Sequence, residues 1–255
     1  MKKYSVLTFV FGNYESIREP KTVDPNCEYV LVTDKEMPVD TKWTVKRIPS
    51  YLNAADGFTK SFYVRYHPFE FVTTDTCVVM DGSIQINKSL WPIVHDFMIS
   101  NKDACFSINC TVQNSYSEFK YWMQHRNYPA KQARKSVLFM RALGYQPSYK
   151  GTIEATFKIC RNTPITTALN TIVYSSLEKL GGSKLRVERL DQTILSAIVC
   201  TKFKHMSVYP VSRQIYQSSY MTWCKHHSNS CYTKDKATVN KLYWHNLPCP
   251  VHIFS

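Results

Sequence analysis

Residues 76–83 read Thr76-Cys77-Val78-Val79-Met80-Asp81-Gly82-Ser83. A β-prone apolar run passes directly into a carboxylate, a glycine and a hydroxyl. A strand that is apolar at every position is buried on both faces, the pattern of a parallel sheet covered by helices. In such sheets ligands bind beyond the carboxyl ends of the strands, where Asp81, Gly82 and Ser83 fall. A carboxylate there is costly unless it is solvated, paired or bound to a cation. With a hydroxyl nearby it suits a hard divalent ion that also holds a diphosphate. A plain turn accounts equally well for Asp-Gly after a strand.

Working outward, residues 4–11 (YSVLTFVF) and 28–33 (EYVLVT) are two further continuous apolar runs, ended by Gly12-Asn13 and by Asp34. Residues 43–48 read as a third, more exposed strand. Between them and Asp81, residues 57–67 place Phe58, Phe62 and Tyr66 at helical spacing, and Pro68 stops the helix. After Asp81 come a helix over 89–99, opened by Ser89 with Pro92 in its first turn, and a strand over 104–109. Two helical segments in 115–143 are broken near Asn127-Tyr128-Pro129. A strand over 155–160, a helix over 164–180 ended by Gly181-Gly182 and a short helix over 190–200 complete the regular part. Strands alternating with helices predict one α/β domain with a mixed, mainly parallel sheet flanked by helices. Residues 1–200 are expected to form this core, and the aromatic, Ser/His-rich residues 201–255 an irregular basic lobe packed on it.

The chain has 255 residues, 44% of them hydrophobic and 20% charged, a globular composition. No apolar run reaches the ~18 residues of a membrane-spanning helix, and the N-terminal run lacks a signal-peptide cleavage site. The nine cysteines are odd in number, and several fall in apolar strands, as buried reduced thiols do. The expectation is a cytoplasmic protein, peripheral at the inner membrane face. The net charge is +13 and uneven: residues 1–111 hold thirteen of the nineteen acids. Residues 112–150 hold seven Lys/Arg against Glu118, and residues 200–255 hold seven against Asp235. A basic half is either a solvated face or a surface for an anionic partner such as nucleotide phosphates, nucleic acid, an anionic glycan or a lipid headgroup.

Several clusters carry candidate chemistry. Gly12 lets a backbone approach a ligand at the end of the first strand. No GxGxxG or Walker motif follows, which argues against dinucleotide-fold and P-loop chemistry. Asp34 ends the second strand, where an acid can accept from a nucleobase imide or a ribose hydroxyl. Lys60 and Arg65 lie five apart on the helix before the Asp81 strand, and phosphate neutralisation is their functional reading. Asp191 in Arg189-Leu190-Asp191-Gln192 is either a helix cap or a site residue. Near the C-terminus stand Cys224, His226, His227, Cys231, His245 and Cys249. Their spacing is loose for a structural zinc, and His226 is taken instead as a donor to a metal at Asp81. Hydrolase and redox motifs are absent. In residues 112–150 the cations interleave with Tyr116, Phe119, Tyr121, Trp122, Tyr128, Phe139, Tyr145 and Tyr149, as in a base-stacking surface or, at helical spacing, a core.

Taken in order, these motifs resemble a GT-A nucleotide-sugar transferase. More closely, Thr8 to Glu15 with Glu19-Pro20, Tyr29 to Asp34, Lys60 to Pro68 and Val79-Met80-Asp81-Gly82-Ser83-Ile84 resemble one family of glycosyltransferase-like domains. Gly151-Thr152-Ile153-Glu154, Arg161-Asn162 and Arg189-Leu190-Asp191-Gln192 complete the likeness, which spans residues 4–200. The family occurs in bacterial polysaccharide loci and in plant wall and mucilage proteins. The resemblance implies that Thr8, Gly12 and Tyr14 line the nucleotide and that Asp34 meets the base. It implies that Lys60 and Arg65 face the diphosphate and donor sugar. It places Asp81, Gly82 and Ser83 where the fold has its Asp-x-Asp, with Mn²⁺ or Mg²⁺ as cofactor. Asp191-Gln192 resembles the pair bordering the reacting sugar in retaining galactosyltransferases, and Glu154 would sit near the acceptor. The implied reaction moves a hexose from a nucleotide sugar, UDP-linked, to a glycan or lipid-linked hydroxyl. Ser83 in place of a second carboxylate, and Asn109-Cys110-Thr111 in place of a His-Pro-Arg stretch, depart from the family pattern. The alternative partners are nucleic acid, bound or as acceptor, and an acidic membrane surface.

Overall fold

A computed structural model describes residues 2–13, 15–109, 114–125, 130–181, 190–212, 215 and 218–224. Seven strands form the main sheet: β1 (Tyr4–Val10), β2 (Cys27–Thr33), β3 (Thr44–Lys46), β4 (Thr76–Asp81), β6 (Ala104–Asn109), β7 (Thr152–Arg161) and β8 (Val208–Ser212). Their order is β3-β2-β1-β4-β7-β6-β8. All pairings are parallel except those of β7, which runs antiparallel to both β4 and β6. The expected mixed, mainly parallel α/β sheet is what forms.

The helices are α1 (Gly57–Tyr66), α2 (Trp91–Ile99), α3 (Ser115–His125), α4 (Ala130–Ala142), α5 (Pro164–Leu180) and α6 (Leu190–Lys202). Strand alternation sorts the core onto the two faces. Leu7 and Phe9 of β1, with Phe11 just after it, join Val79 and meet Val64 of α1, while Tyr4, Val6 and Val10 join Met80 and meet Val94 and Phe97 of α2. A third cluster packs α3, α4, α5 and α6 over β6 and β7. Asp56 caps α1 by accepting from the Thr59 N–H at 2.8 Å. Thr163 and Thr166 form a reciprocal cap at the start of α5, and Gly181 ends it in the left-handed region at φ 84°.

The described residues bear on three sequence readings. The sheet does not stop at residue 200: β8 lies beside β6, and β9 (Met221–Trp223) pairs with β5 (Ile84–Ile86) directly after Ser83. Residues 208–212 and 221–223 are therefore strands, not irregular chain. The aromatic set of residues 112–150 is largely core: Phe119 and Tyr145 are buried, and Tyr116, Phe139 and Tyr149 pack against the same cluster. That removes most of the stacking surface a nucleic-acid reading needs. Finally, Cys27, Cys77, Cys105, Cys160 and Cys200 are free and buried, but Cys224 is disulfide-bonded, so the nine are not all reduced thiols. Among the described residues no helix is long and apolar enough to cross a membrane.

Candidate active site

Because β1, β2, β4 and β6 run parallel and β7 against them, one edge of the sheet gathers their functional ends. It carries Phe11-Gly12, Thr33-Asp34, Asp81-Gly82, Asn109 and the start of β7 at Thr152, with Glu154 just inside. Opposite this edge lies the first turn of α6, with Asp191 and Gln192, both buried.

At its centre is Arg65. Register places it there: Phe9 and Asp81 are partners across β1 and β4 and point to the α1 side. The Arg65 guanidinium lies over the Phe9 ring at 5.3 Å from the centroid. One of its terminal nitrogens donates to Asp81 Oδ1 and the other to Asp191 Oδ2. Burial pulls the guanidinium pKa down, but the Asp81 and Asp191 carboxylates outweigh it and hold the group above its ordinary range. Burial pushes the Asp81 carboxyl up and Asp191 adds to this, against the pull of Arg65. Two carboxylates against one guanidinium leave the cluster with one net negative charge.

Lys60 does not share this cluster. Its ammonium stands 3.9 Å from Asp34 and over the Phe11 ring. Asp34 also accepts from the Gly12 N–H, at 2.9 and 3.2 Å to its two oxygens. Gly12 sits at φ 57°, the left-handed region that favours glycine. The two cations read together on α1 thus meet different acids: Arg65 bridges β4 to α6, and Lys60 faces the β1–β2 loop edge. Thr8 is buried inside β1. Glu154 is buried, with Ser107 Oγ at 3.5 Å from its carboxylate. Ser83 is buried behind the strand end, its carbonyl accepting from the Cys224 N–H at 2.8 Å. Tyr14, His226 and Arg189, like His227, Cys231, His245 and Cys249, lie outside the described residues.

Gly82 has a steric reason to be glycine. A Cβ there would stand 2.5 Å from Val10 Cγ2 and 3.1 Å from the Phe9 carbonyl oxygen. Its own carbonyl accepts from Arg18 at 2.9 Å. Gly82→Ala is expected to lower the urea midpoint by an amount equivalent to about 1–3 kcal/mol, the usual cost of overpacking. An unchanged midpoint would mean that the strand end yields freely.

Two site residues escape the motif reading. Glu118, the lone acid of residues 112–150, is buried on α3 and accepts from Gln192 Nε2 at 2.9 Å. That bond turns the Gln192 amide nitrogen toward α3 and fixes which way its carbonyl faces. Arg18 ties the β1–β2 connection to the Asp81-Gly82 corner. Glu118 was visible only as an isolated acid in a basic segment.

Among solved structures, the chain is similar to the glycosyltransferase GlyE of Streptococcus pneumoniae TIGR4, at a TM-score of 0.46 and 12% identity, over 85% of this chain and 46% of that one. It is also similar to mouse xyloside xylosyltransferase 1 in its apo form, at a TM-score of 0.44 and 9% identity, over 82% and 84%. The chain thus spans less than half the length of the pneumococcal protein. No family model and no curated protein matches it. Likenesses this low carry no argument about activity, which rests on the residues of the site.

Proposed function

We propose that the protein is a GT-A-type glycosyltransferase that moves a hexose from a nucleotide sugar, UDP-linked, to a hydroxyl of a glycan or lipid-linked acceptor. The observation that carries this reading is the Asp81–Arg65–Asp191 bridge at the carboxyl edge of the sheet, beside the Gly12–Asp34 corner. Motifs spread over more than a hundred residues of chain meet at one cleft edge, in the arrangement a nucleoside diphosphate sugar needs. The base would lie toward Asp34 and Gly12, the diphosphate toward Asp81 and Lys60, and the sugar toward Asp191 and Gln192.

Charge balance bears on the cofactor. The edge is net negative by one at the Arg65 cluster, so a diphosphate arriving there would be repelled without a cation. Among the described residues no three His, Cys, Asp or Glu side chains are grouped to hold a metal. The donor set fits an ion of the Mg²⁺ or Mn²⁺ kind only if the substrate phosphates complete its shell, as they do in many such sites. Asp81 would hold it through the carboxylate oxygen not given to Arg65, with Ser83 as the neighbouring hydroxyl. When bound, the ion supplies charge neutralisation for the leaving diphosphate.

The chain's own residues would do the rest. Lys60 stabilises charge on the departing phosphates, at no cost of reorganisation because Phe11 and Asp34 already hold it. Gln192, oriented by Glu118, presents its carbonyl oxygen to the sugar. Asp191 has its Oδ2 tied to Arg65 and so is poorly placed to take a proton from an acceptor hydroxyl, which favours retention over inversion. Glu154 stands near the acceptor side.

A thermal-shift panel of UDP, GDP, CDP and UDP-sugars, each with and without Mn²⁺, tests the reading. A ligand at a hundred times its dissociation constant stabilises by about 2.7 kcal/mol, roughly 5–10 °C for a chain of this size. The expected result is a shift with UDP that requires Mn²⁺ and is lost in Asp81→Ala. No shift with any nucleotide would overturn the assignment. A shift without donor turnover on any acceptor would make the protein a nucleotide-binding module.

A further inference from the structure

The two helices α3 and α4, which pack on α6, look outward with a different chemistry. On α4, Ala133, Ser136 and Met140 are buried, and Lys131, Arg134, Lys135, Leu138 and Arg141 are exposed. At 3.6 residues per turn the exposed set forms one stripe, with Leu138 at its middle. Lys131 and Lys135 flank Leu138 on one side, and Arg134 and Arg141 on the other. Leu138 is 52% exposed. Neighbouring α3 adds Lys120, Tyr121 at 51% and Met123 at 39% exposure. The single acid of the two helices, Glu118, is turned inward to Gln192. The outward face therefore carries cations and large apolar side chains, with no carboxylate among the described residues to answer them.

We propose that this α3–α4 face lies on an acidic phospholipid bilayer. A basic helix face with Leu, Met and Tyr along it has the composition of a segment lying in the headgroup region: the cations meet lipid phosphates and the apolar tips enter the acyl boundary. The apolar side chains distinguish this from a nucleic-acid surface. Leu138 and Met123 have nothing to gain from a phosphate backbone, and among the described aromatics of α3 and α4 Tyr121 alone is exposed enough to stack. The surface is independent of the transferase reading.

Sedimentation with phosphatidylcholine vesicles, with and without phosphatidylglycerol, tests it. Each Lys or Arg at an acidic surface is worth about 1 kcal/mol, so the triple variant Lys131→Gln, Arg134→Gln, Lys135→Gln is expected to weaken partitioning by about a hundredfold. A matched triple on other elements, Lys21→Gln, Lys88→Gln, Lys102→Gln, removes the same charge from exposed sites. It is expected to change partitioning by less than tenfold, because charges beyond about 10 Å are screened. Leu138→Gln keeps all charge and is expected to weaken partitioning about tenfold. Far-ultraviolet circular dichroism shows that each variant is folded. Equal losses from the two triples, no effect of Leu138→Gln, equal binding to neutral vesicles, or binding to duplex DNA in place of acidic vesicles would each overturn the proposal.

Discussion

Arg65→Met is expected to cost the folded protein about 3–5 kcal/mol, as measured by urea unfolding at neutral pH. The change leaves two carboxylates facing each other across a site from which their shared counter-charge has gone, and removing one partner of a buried ion network typically costs this much. Asp191 is almost fully buried and Asp81 partly open, so the penalty falls mainly on Asp191. Adding Asp191→Asn to the Met variant is therefore expected to restore a large part of the loss. The pH dependence separates this from lost packing. Without Arg65 the Asp81 carboxyl, already pushed up by burial, loses the charge that pulls it down, so the folded state holds a proton that the unfolded chain has released. Stability of the variant then falls as pH rises through the carboxylate range, and the gap from wild type narrows toward pH 4. A gap that is constant with pH would assign the loss to the packing of the guanidinium on Phe9 and Phe62. A total loss below 1 kcal/mol would show that water replaces the guanidinium.

How the sequence anticipates this bridge, and where it stops, follows from the range of the interactions involved. The run Val78-Val79-Met80 before Asp81 is local: consecutive apolar residues mark a doubly covered strand, and the carboxylate after it marks the strand's end. The period of α1 and its stop at Pro68 are local in the same way. That Asp81 and Asp191 share one guanidinium is not local, since Arg65 reaches 16 residues to one and 126 to the other, and no spacing rule spans such separations. On sequence, Arg65 and Lys60 look equivalent. The strand register separates them, because Phe9 opposite Asp81 brings Arg65 to the sheet centre and leaves Lys60 at the Asp34 corner. The antiparallel course of β7 and the return of residues 208–212 to the sheet edge are likewise tertiary facts: a five-residue strand with Pro210 at its centre gives little local signal. The same holds for Glu118, whose partner lies 74 residues away.

Lys158 shows the limit most sharply and supplies the second large effect. It sits in the middle of β7, opposite Val79, on the face shared with Cys77 and Cys160, in a strand whose pattern calls for an apolar side chain. Its ammonium donates to Asn170 on α5 at 2.9 Å and lies 4.6 Å from the centre of the Tyr66 ring, with no carboxylate among the described residues bonded to it. Burial brings its pKa down to about 8 from an ordinary 10.5. Between those values the unfolded chain holds a proton that the folded chain has released. Wild-type stability therefore rises with pH across that window, and below pH 8 the full penalty of the buried charge applies, about 3 kcal/mol. Lys158→Met removes that penalty and gives up one hydrogen bond to Asn170, worth about 1 kcal/mol. The variant is expected to be more stable than wild type by about 2 kcal/mol at pH 7, and the advantage is expected to vanish by about pH 10.5. Melting temperatures of the two proteins across that range read the difference directly. A variant less stable at pH 7 would mean that Asn170 and the Tyr66 ring compensate the charge in full. Lys158 would then be a structural cation of the core beneath Arg65, held by its two neighbours rather than tolerated by them.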